Sequence, residues 1–291
     1  MESDPASPES KTLPPVINEK NSLGQTRFNL VTEAANWTAE GSRKAAISAF
    51  GFGGNNAHMI VEEYVAPGQI QVTAARTQAA PLAVVGMGAV LGQAGDLSEV
   101  STKLFAGAPY GSRTETITLP MKGLKFPPND LKQSLGQQLM MLQATHEALD
   151  DAGPVNPEDT CVLIGMGCDP EVARYGARWR LKDWASRLGM NEEQRASLQE
   201  QIVPVLESPG VLGTMPNIVA NRLSSQFDFT SFGYAVSAEE LSGIRALQIA
   251  MRALRAGEVK TAVVGAVDAS AEKVHAAALQ AVGKNGKVAD G

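Results

Sequence analysis

Short apolar runs and stripes at helical spacing alternate along most of this chain. Apolar and β-branched runs predict strands at 45–50 and 57–64, with a glycine-rich turn between them. Continuous apolar runs predict buried strands at 82–88, 161–167 and 261–267. Strands that alternate with helical segments in this way are typical of an α/β fold with a mostly parallel sheet.

A leucine stripe predicts a helix over about residues 130–151. Asp130 and Gln133 have the spacing of an N-terminal cap, and Gly153 with Pro154 ends the helical pattern. The stripe expected to face the core consists of Leu131, Leu135, Leu139, Leu142 and Leu149.

A second helix is predicted to begin at about Ala238. Ser237 and Glu240 have the S-x-x-E spacing of a capping box, and Gly257 is placed to end the helix in the left-handed conformation. From the residues alone, Glu240 is therefore interpreted as a helix cap. The predicted core-facing stripe consists of Leu241, Ile244, Leu247, Ala250, Met251 and Leu254.

Changes in composition predict the boundaries between parts of the chain. Residues 1–12 predict a disordered lead-in, because they offer almost nothing to bury, and 65–80, which have no clear periodicity, predict a linker. We therefore expect two folded units, at residues 13–64 and 81–291. Within the second unit, 170–207 are rich in Arg, Trp, Glu and Gln and predict a helical excursion at the surface.

Composition excludes several classes of function. The chain of 291 residues has a net charge of −6 and no basic run, which argues against a nucleic-acid surface. The acidic, proline-rich N-terminus does not resemble a signal peptide, and the longest apolar stretch, 79–92, is too short and broken to span a bilayer. Cys161 and Cys168 show no metal-ligand spacing, so we expect reduced thiols, a cytoplasmic location and no metal site.

Specific motifs stand in a definite order in the second half of the chain. Residues 220–224 (ANRLS) and 227–228 (FD) precede an apolar strand, and 254–258 (LRAGE) precede a strand that ends VVGAV. This order resembles the nucleophile elbow of the β-ketoacyl synthase (ketosynthase) family, in which a Thr-Ala-Cys-Ser-Ser turn lies between the two groups. The chain is similar to that family without a gap in this region, and Glu240 stands at the position of the reactive cysteine.

The resemblance covers nearly the whole chain. LPPVIN (13–18) and AISAFGFGGNNAHMIVEE (46–63) are similar to the closing part of a ketosynthase domain, and 81–291 are similar to the first half of a second such domain. The resemblance implies a thiolase-like fold, layered α/β/α with a mostly parallel sheet and incomplete here, since the family continues into a further core strand. A tandem whose second copy lacks the cysteine resembles the ketosynthase and chain-length-factor pair of polyunsaturated fatty acid and polyketide-type synthases.

Decarboxylative condensation in this family needs a cysteine thiolate, oxyanion donors and two histidines. His58 matches the histidine of the family's Gly-Gly-Thr-Asn-Ala-His motif, although Asn55 replaces the threonine. Without that motif, His58 would be interpreted as a structural histidine at a strand start. The matching cysteine for its domain is absent from the chain, and Glu240 replaces the cysteine of the second domain. We therefore expect the chain to be inactive alone and its second domain to be a non-catalytic, chain-length-factor-like partner.

The resemblance also implies partners. It implies an acyl carrier protein, which brings its own phosphopantetheine, and no other cofactor. It further implies that ketosynthase-type domains pair as a dimer. The apolar segment 227–236 is similar to the strand that pairs across the dimer axis in the family, so we expect pairing there and predict that the chain alone is oligomeric or poorly soluble.

Two alternatives remain open from the sequence. The second domain could decarboxylate malonyl groups on a carrier protein, although the negative charge of Glu240 would repel a developing enolate. A dinucleotide-binding oxidoreductase is a weaker alternative, because Gly86, Gly88 and Gly92 follow a predicted strand but are spaced one residue too long for the fingerprint. His146 and His275 lie in helical segments and are interpreted as structural or surface residues.

Overall fold

The computed structural model divides the chain into two compact units, residues 1–51 with 56–76, and 52–55 with 77–291. It describes residues 12–13, 30–51, 56–65, 80–111, 113–114, 116–119, 122–169, 171–269, 271 and 273–283. The predicted lead-in and linker lie outside the described residues, except for Thr12, Val65 and Ala80. The motifs at residues 14–18 and 52–55 and the tail from residue 284 also lie outside them. The expected boundaries between the parts therefore stay predictions.

The first unit consists of antiparallel strand pairs in its described residues. Strand β1 (Thr12–Leu13) pairs with β2 (Ala35–Asn36), and β3 (Lys44–Phe50) pairs with β4 (Asn56–Glu62) along its full length. The β3–β4 pair confirms the two strands that the sequence predicted there. Charged pairs flank it, Arg43 with Glu63 and Lys44 with Glu62, the latter at 3.2 Å between Nζ and Oε1.

The second unit alternates helices and strands in its described part, as the apolar runs predict. Its strands are β5 (Thr160–Met166), β6 (Gly233–Val236) and β7 (Thr261–Val267). Its α-helices are α1 (Leu97–Ala106), α2 (Pro128–Lys132), α3 (Gly136–Ala152), α4 (Val172–Arg187), α5 (Glu192–Ile202), α6 (Ser208–Gly213), α7 (Ile218–Phe227), α8 (Ser242–Ala256) and α9 (Lys273–Ala281). Helices α4 and α5 confirm the helical excursion.

A parallel sheet in the order β6-β5-β7 forms the centre of the described part of the second unit. Every residue of β5 is buried. Its side chains alternate between the faces, because successive side chains of a strand point to opposite sides. Val162, Ile164 and Met166 belong to the core cluster with α3 and α7, whereas Cys161 and Leu163 pack with α8. This gives the layered α/β/α arrangement.

A buried polar group joins the helices on the α3 side. The guanidinium of Arg222 on α7 donates to Gln138 Oε1 (3.0 Å) and Ser134 Oγ (3.2 Å), and it stacks over the ring of Phe126. Gln138 Nε2 in turn donates to the carbonyls of Leu212, Gly213 and Met215. Burial lowers the pKa of Arg222 from its usual value. The group therefore ties α3, α6 and α7 together without a buried ion pair.

Helix α8 packs on the sheet through small side chains. Ala246, Ala250 and Ala253 are buried there, whereas Ile244 and Leu247 are about half exposed, at 56% and 49%. The predicted apolar stripe is therefore wrong in part, since Leu241, Ile244 and Leu247 are exposed, whereas Leu254 packs against the core. Alanines allow a helix to approach a sheet more closely than leucines do. The predicted end of the helix at Gly257, in the left-handed conformation with φ 73°, is confirmed.

The strand predicted at 82–88 is wrong, because residues 80–90 form no strand. Strand β7 bonds to β5 only, within the described residues, and a cleft of about 490 Å³ lies between 84–91 and β7. The amides of Met87 and Ala89 instead donate to the carboxylates of Asp151 (3.0 Å) and Glu147 (2.8 Å) on α3. Side chains of a helix thus take the place of a neighbouring strand. With the cleft beside it, β7 is partly exposed rather than buried on both faces.

The helix predicted over 130–151 is interrupted. Helix α2 ends at Lys132 and α3 begins at Gly136, and Asp130 forms no cap. Between them Leu135 is extended and its amide donates to the carbonyl of Gly213 (3.0 Å). A tertiary hydrogen bond thus replaces helical bonds at this point. The leucine stripe itself is buried or partly buried, and the helix ends before Gly153 as predicted.

The apolar segment 227–236 is only partly a strand. Helix α7 runs through Phe227 and ends at Asp228, which has a positive φ of 59°, and only Gly233–Val236 pairs with β5. Phe229 is buried in the core between them. Strand β6 nevertheless lies at an edge of the described sheet, as the sequence predicted for a pairing strand.

The two thiols should differ in reactivity. Cys161 lies in the core between β5 and α8, where burial raises the pKa of its thiol to about 11, whereas Cys168 is exposed in the loop after β5. The thiolate is the reactive form, so Cys161 stays protonated and inert at pH 8. We expect one thiol per native chain to react with a disulfide reagent at pH 8, and both after unfolding.

Cys168→Ser should abolish the native reaction, and Cys161→Ser should leave it unchanged. A native reaction that survives in Cys168→Ser would contradict the placement of Cys161 in the core.

Candidate functional site

A sharp turn connects β6 to α8 at the carboxyl edge of the sheet. The strand ends at Val236, a short 3₁₀ turn covers Glu239–Leu241, and α8 begins at Ser242. Glu239 has φ 52°, which is uncommon for a residue with a Cβ and places strain at the turn. This turn, residues 237–242, is called the elbow below. It lies where the sequence predicts a nucleophile.

The elbow is stabilised by Ser242 rather than by the predicted capping box. The Ser242 hydroxyl, which is buried, accepts from the Ala238 amide (2.9 Å) and donates to the Glu239 carbonyl (2.6 Å). Neither Ala238 nor Leu241, which precede the two helical segments, has a side-chain cap. The prediction that Ser237 and Glu240 form the cap is therefore wrong.

Glycines allow the elbow to lie directly on the central strand. A Cβ on Gly165 of β5 would lie 2.4 Å from the Gly243 amide nitrogen. A Cβ on Gly243 would lie 2.7 Å from the Cβ of Ala266 on β7. Both distances are shorter than real side chains show. Backbone therefore packs against backbone where α8 starts. Ser242, Gly165 and Gly243 are not among the residues predicted for the site, and only their small size could have indicated the close approach.

Glu240 lies in the elbow with its side chain in solvent. It is exposed, and within the described residues no hydrogen bond or ion pair involves its carboxylate. Glu239 beside it is also exposed, so two carboxylates stand in the turn before α8. The positive end of the helix dipole favours negative charge there. The elbow thus presents two carboxylates in the turn where the sequence resemblance predicts the position of the reactive cysteine.

The histidine of α3 lies away from the elbow. His146 belongs to the helix that packs on the sheet face opposite α8, where its ring meets Phe227 edge-on with centroids 4.8 Å apart. Burial lowers the pKa of His146 from its usual value. His275 lies on α9, after β7. The interpretation of His146 as a structural residue agrees with its packing.

His58 belongs to the first unit. It is an exposed residue of β4, and its Nδ1 shares a hydrogen bond of 2.9 Å with the hydroxyl of Ser48 directly opposite on β3. The hydroxyl fixes one ring nitrogen and leaves Nε2 in solvent. The glycine turn before it, Phe52–Gly54, lies outside the described residues. A catalytic role for His58 stays a prediction.

The glycines of the dinucleotide-binding alternative have another function. A Cβ on Gly86 would lie 2.2 Å from the Ala148 carbonyl oxygen, and one on Gly88 would lie 2.0 Å from that of Ala144. These glycines therefore allow the segment to pack on α3. Gly92 has φ 58° in a turn. Gly86 and Gly88 lie against the body of α3 and not at a helix N-terminus, where a pyrophosphate would bind. This placement gives the alternative no support.

No cluster of metal-ligating side chains occurs among the described residues. In the same part of the chain, no helix combines the length and the apolar character needed to cross a bilayer.

Comparisons with known proteins agree with this architecture. Residues 122–286 match the model of the β-ketoacyl synthase N-terminal domain, and 18–89 match that of the ketoacyl-synthetase C-terminal extension. The chain belongs to the β-ketoacyl synthase family. The C-terminal extension is matched before the N-terminal domain along the chain, and the division into two ketosynthase-type parts stays a prediction.

Similar proteins are large synthases. A polyunsaturated fatty acid synthase polypeptide of Thraustochytrium sp. is 26% identical over 80% of this chain, which spans 13% of that polypeptide. A phenolphthiocerol/phthiocerol polyketide synthase polypeptide of Mycobacterium tuberculosis is 45% identical over 18% of the chain and 4% of its own length. The chain thus spans a small part of the relatives it matches, as a ketosynthase-type region.

A solved structure has the same fold. The keto synthase-chain length factor of PfaC is 25% identical, with a TM-score of 0.58, over 84% of this chain and 30% of its own. The fold is accordingly thiolase-like, an incomplete α/β arrangement with a parallel sheet and helices on both faces, as the sequence predicted.

The close approach at Gly165 gives a matched pair of variants. Gly165→Ala would force a methyl group into the backbone of Gly243 and should lower the free energy of unfolding by about 3 kcal/mol or more. Gly167→Ala, two residues along, meets nothing within 4 Å and should change it by less than about 0.5 kcal/mol. Urea unfolding of both variants checks this, and equal stabilities would contradict the packing of the elbow on β5.

A second pair of variants distinguishes the contribution of Ser242 to stability from that of Glu240. Ser242→Ala removes the acceptor for Ala238 and the donor to Glu239, and should cost about 1–2 kcal/mol. Glu240→Gln removes only an exposed charge and should cost well under about 1 kcal/mol. The measurement is the urea midpoint at constant slope. A larger loss for Glu240→Gln than for Ser242→Ala would contradict both the exposure of Glu240 and the support of the elbow by Ser242.

Proposed function

We propose that the second unit is part of a non-catalytic, chain-length-factor-like domain of a fatty acid or polyketide synthase. The observation that carries this proposal is Glu240, a solvent-exposed carboxylate in a turn that keeps the shape of a nucleophile elbow. The similarity to the keto synthase-chain length factor of PfaC supports the same assignment.

The chemistry of condensation explains why Glu240 is not a substitute for cysteine. The cysteine of a condensing enzyme takes an acyl chain from one thioester into another, at little cost in free energy. A carboxylate would have to form a mixed anhydride, which is far more reactive than a thioester and would be hydrolysed. The thiol that packs against α8, that of Cys161, is buried and its pKa is raised to about 11. It cannot take over the role.

The catalytic role belongs to the preceding domain in this proposal. Residues 13–64 are the closing part of that ketosynthase domain, and His58 is one of its two histidines, which assist decarboxylation of the malonyl unit. Its cysteine partner stands elsewhere in the synthase. An acyl carrier protein delivers both substrates on phosphopantetheine, so no further cofactor is needed.

Pairing of the two domains is assigned to the edge strand β6. Its outer edge has no neighbour in the described sheet, and the rings of Phe232 and Tyr234 stack beside it with centroids 6.0 Å apart. An edge with aromatic side chains is suited to pairing with a second strand. The elbow, which follows β6 directly, would then lie beside the domain interface.

The decarboxylase alternative is less favourable on electrostatic grounds. Loss of CO₂ from a malonyl thioester leaves an enolate, whose oxygen carries the developing charge. Preorganised donors stabilise such an oxyanion, and the carboxylates of Glu239 and Glu240 would raise its energy. An amide at position 240 would not have this effect.

The test is malonyl decarboxylation by the complete synthase protein. With the authentic ketosynthase cysteine alkylated, malonyl-carrier protein should release CO₂ at the background rate, and Glu240→Gln should not lower this rate. The assay follows CO₂ from labelled malonyl groups. The unblocked protein, which should condense acyl and malonyl units, is the positive control.

Two results would contradict the proposal. One is decarboxylation well above background in the blocked protein that disappears in Glu240→Gln. The other is transfer of a labelled acyl group to the second domain of the blocked protein. Glu239→Gln is a matched control, since it removes the neighbouring charge and leaves position 240 intact.

A further inference from the structure

Gln137, near the start of α3, is buried with its polar group unsatisfied. Its side chain is 1% exposed, and neither the amide nitrogen nor the amide oxygen has a hydrogen-bond partner among the described residues. Buried amides normally have partners, because an unmade hydrogen bond in the interior costs the full desolvation of the group. The amide therefore indicates an occupant that the protein atoms do not supply.

A small cavity lies next to this amide. Its volume is about 10 Å³, and it is lined by the start of α3, the end of β5 and the turn between α6 and α7. Polar groups line it besides Gln137. The Thr214 hydroxyl donates to the Val211 carbonyl (2.9 Å), so the hydroxyl oxygen can still accept a hydrogen bond. The buried residue Asp169 also lines the cavity. Such a volume is about that of one water molecule.

We propose that this cavity is the site of one internal water molecule. The water accepts a hydrogen bond from Gln137 Nε2 and donates to an acceptor of the lining, the Thr214 hydroxyl or the Asp169 carboxylate. The cavity is too small for an organic ligand and polar enough to hold water, whereas purely apolar cavities of proteins stay empty.

Gln138 is a natural comparison for Gln137. It is the adjacent residue, equally buried at 3%, and its amide is satisfied by protein atoms, with Leu212, Gly213 and Arg222 among its partners. The two glutamines thus differ in the identity of their partners and not in burial. One is bonded to backbone and a guanidinium, and the other is assigned to water.

The first test is a crystal structure of the full-length protein at a resolution better than about 2 Å. We expect an ordered water within about 3.2 Å of the Gln137 amide nitrogen. A cavity without density at that place would overturn the proposal.

The second test is the stability of Gln137→Met, an apolar side chain of similar shape. If water satisfies the amide, the variant loses a hydrogen bond and its Tm should fall by about 2–4 °C, with the water gone from its structure. If the cavity is dry, the variant removes an unsatisfied amide and its Tm should rise. An equal or higher Tm therefore overturns the proposal. Gln138→Met is the control, whose Tm should fall further because direct bonds are lost.

Discussion

The organisation of the second unit depends on the central strand β5, which is packed on both faces. Val162 and Ile164 pack into the core with α3 and α7, while Leu163 packs against α8. Gly165 has no side chain on the α8 face, and the start of α8 comes within backbone distance of it. A strand buried on both faces fixes the register of β6 and β7 on either side. The elbow is placed by that register.

The residues that hold the elbow in place are therefore different from the residue at the position where the sequence predicts the nucleophile. Gly165, Gly243 and the hydroxyl of Ser242 hold the turn, and Glu240 contributes to none of these contacts. A residue whose side chain lies in solvent can change from a nucleophile to a carboxylate at little cost in stability. Under the proposed function, this separation explains how the domain can lack the reactive group of its family and keep the fold that presents it.

The sequence predicted correctly those strands and helix ends that the local pattern of residues determines. The buried run at 161–167, the hairpin strands 45–50 and 57–64 and the helix end at Gly257 all appear within a residue or two. The sequence-based predictions were wrong where a contact with a residue far along the chain determines the local structure. Residues 82–88 form no strand, and the amides of Met87 and Ala89 bond to side chains of α3 instead. The helix predicted from Asp130 is broken where the Leu135 amide bonds to the Gly213 carbonyl. Partners so far along the chain leave no periodic signal.

The elbow shows how a correct local motif can still predict the wrong contact. Ser237 and Glu240 have ideal capping-box spacing, but the side-chain hydrogen bonds of this turn come from Ser242, which accepts from the Ala238 amide. Ser242 prevails because Gly243 and Gly165 draw the first turn of α8 onto the sheet, which buries its hydroxyl beside Ala238. Tertiary packing also selects the alanine stripe of α8 over the leucine stripe, since only small side chains permit that approach. Glu240 is left in solvent by the same geometry, so its exposure is a consequence of how closely the helix meets the strand.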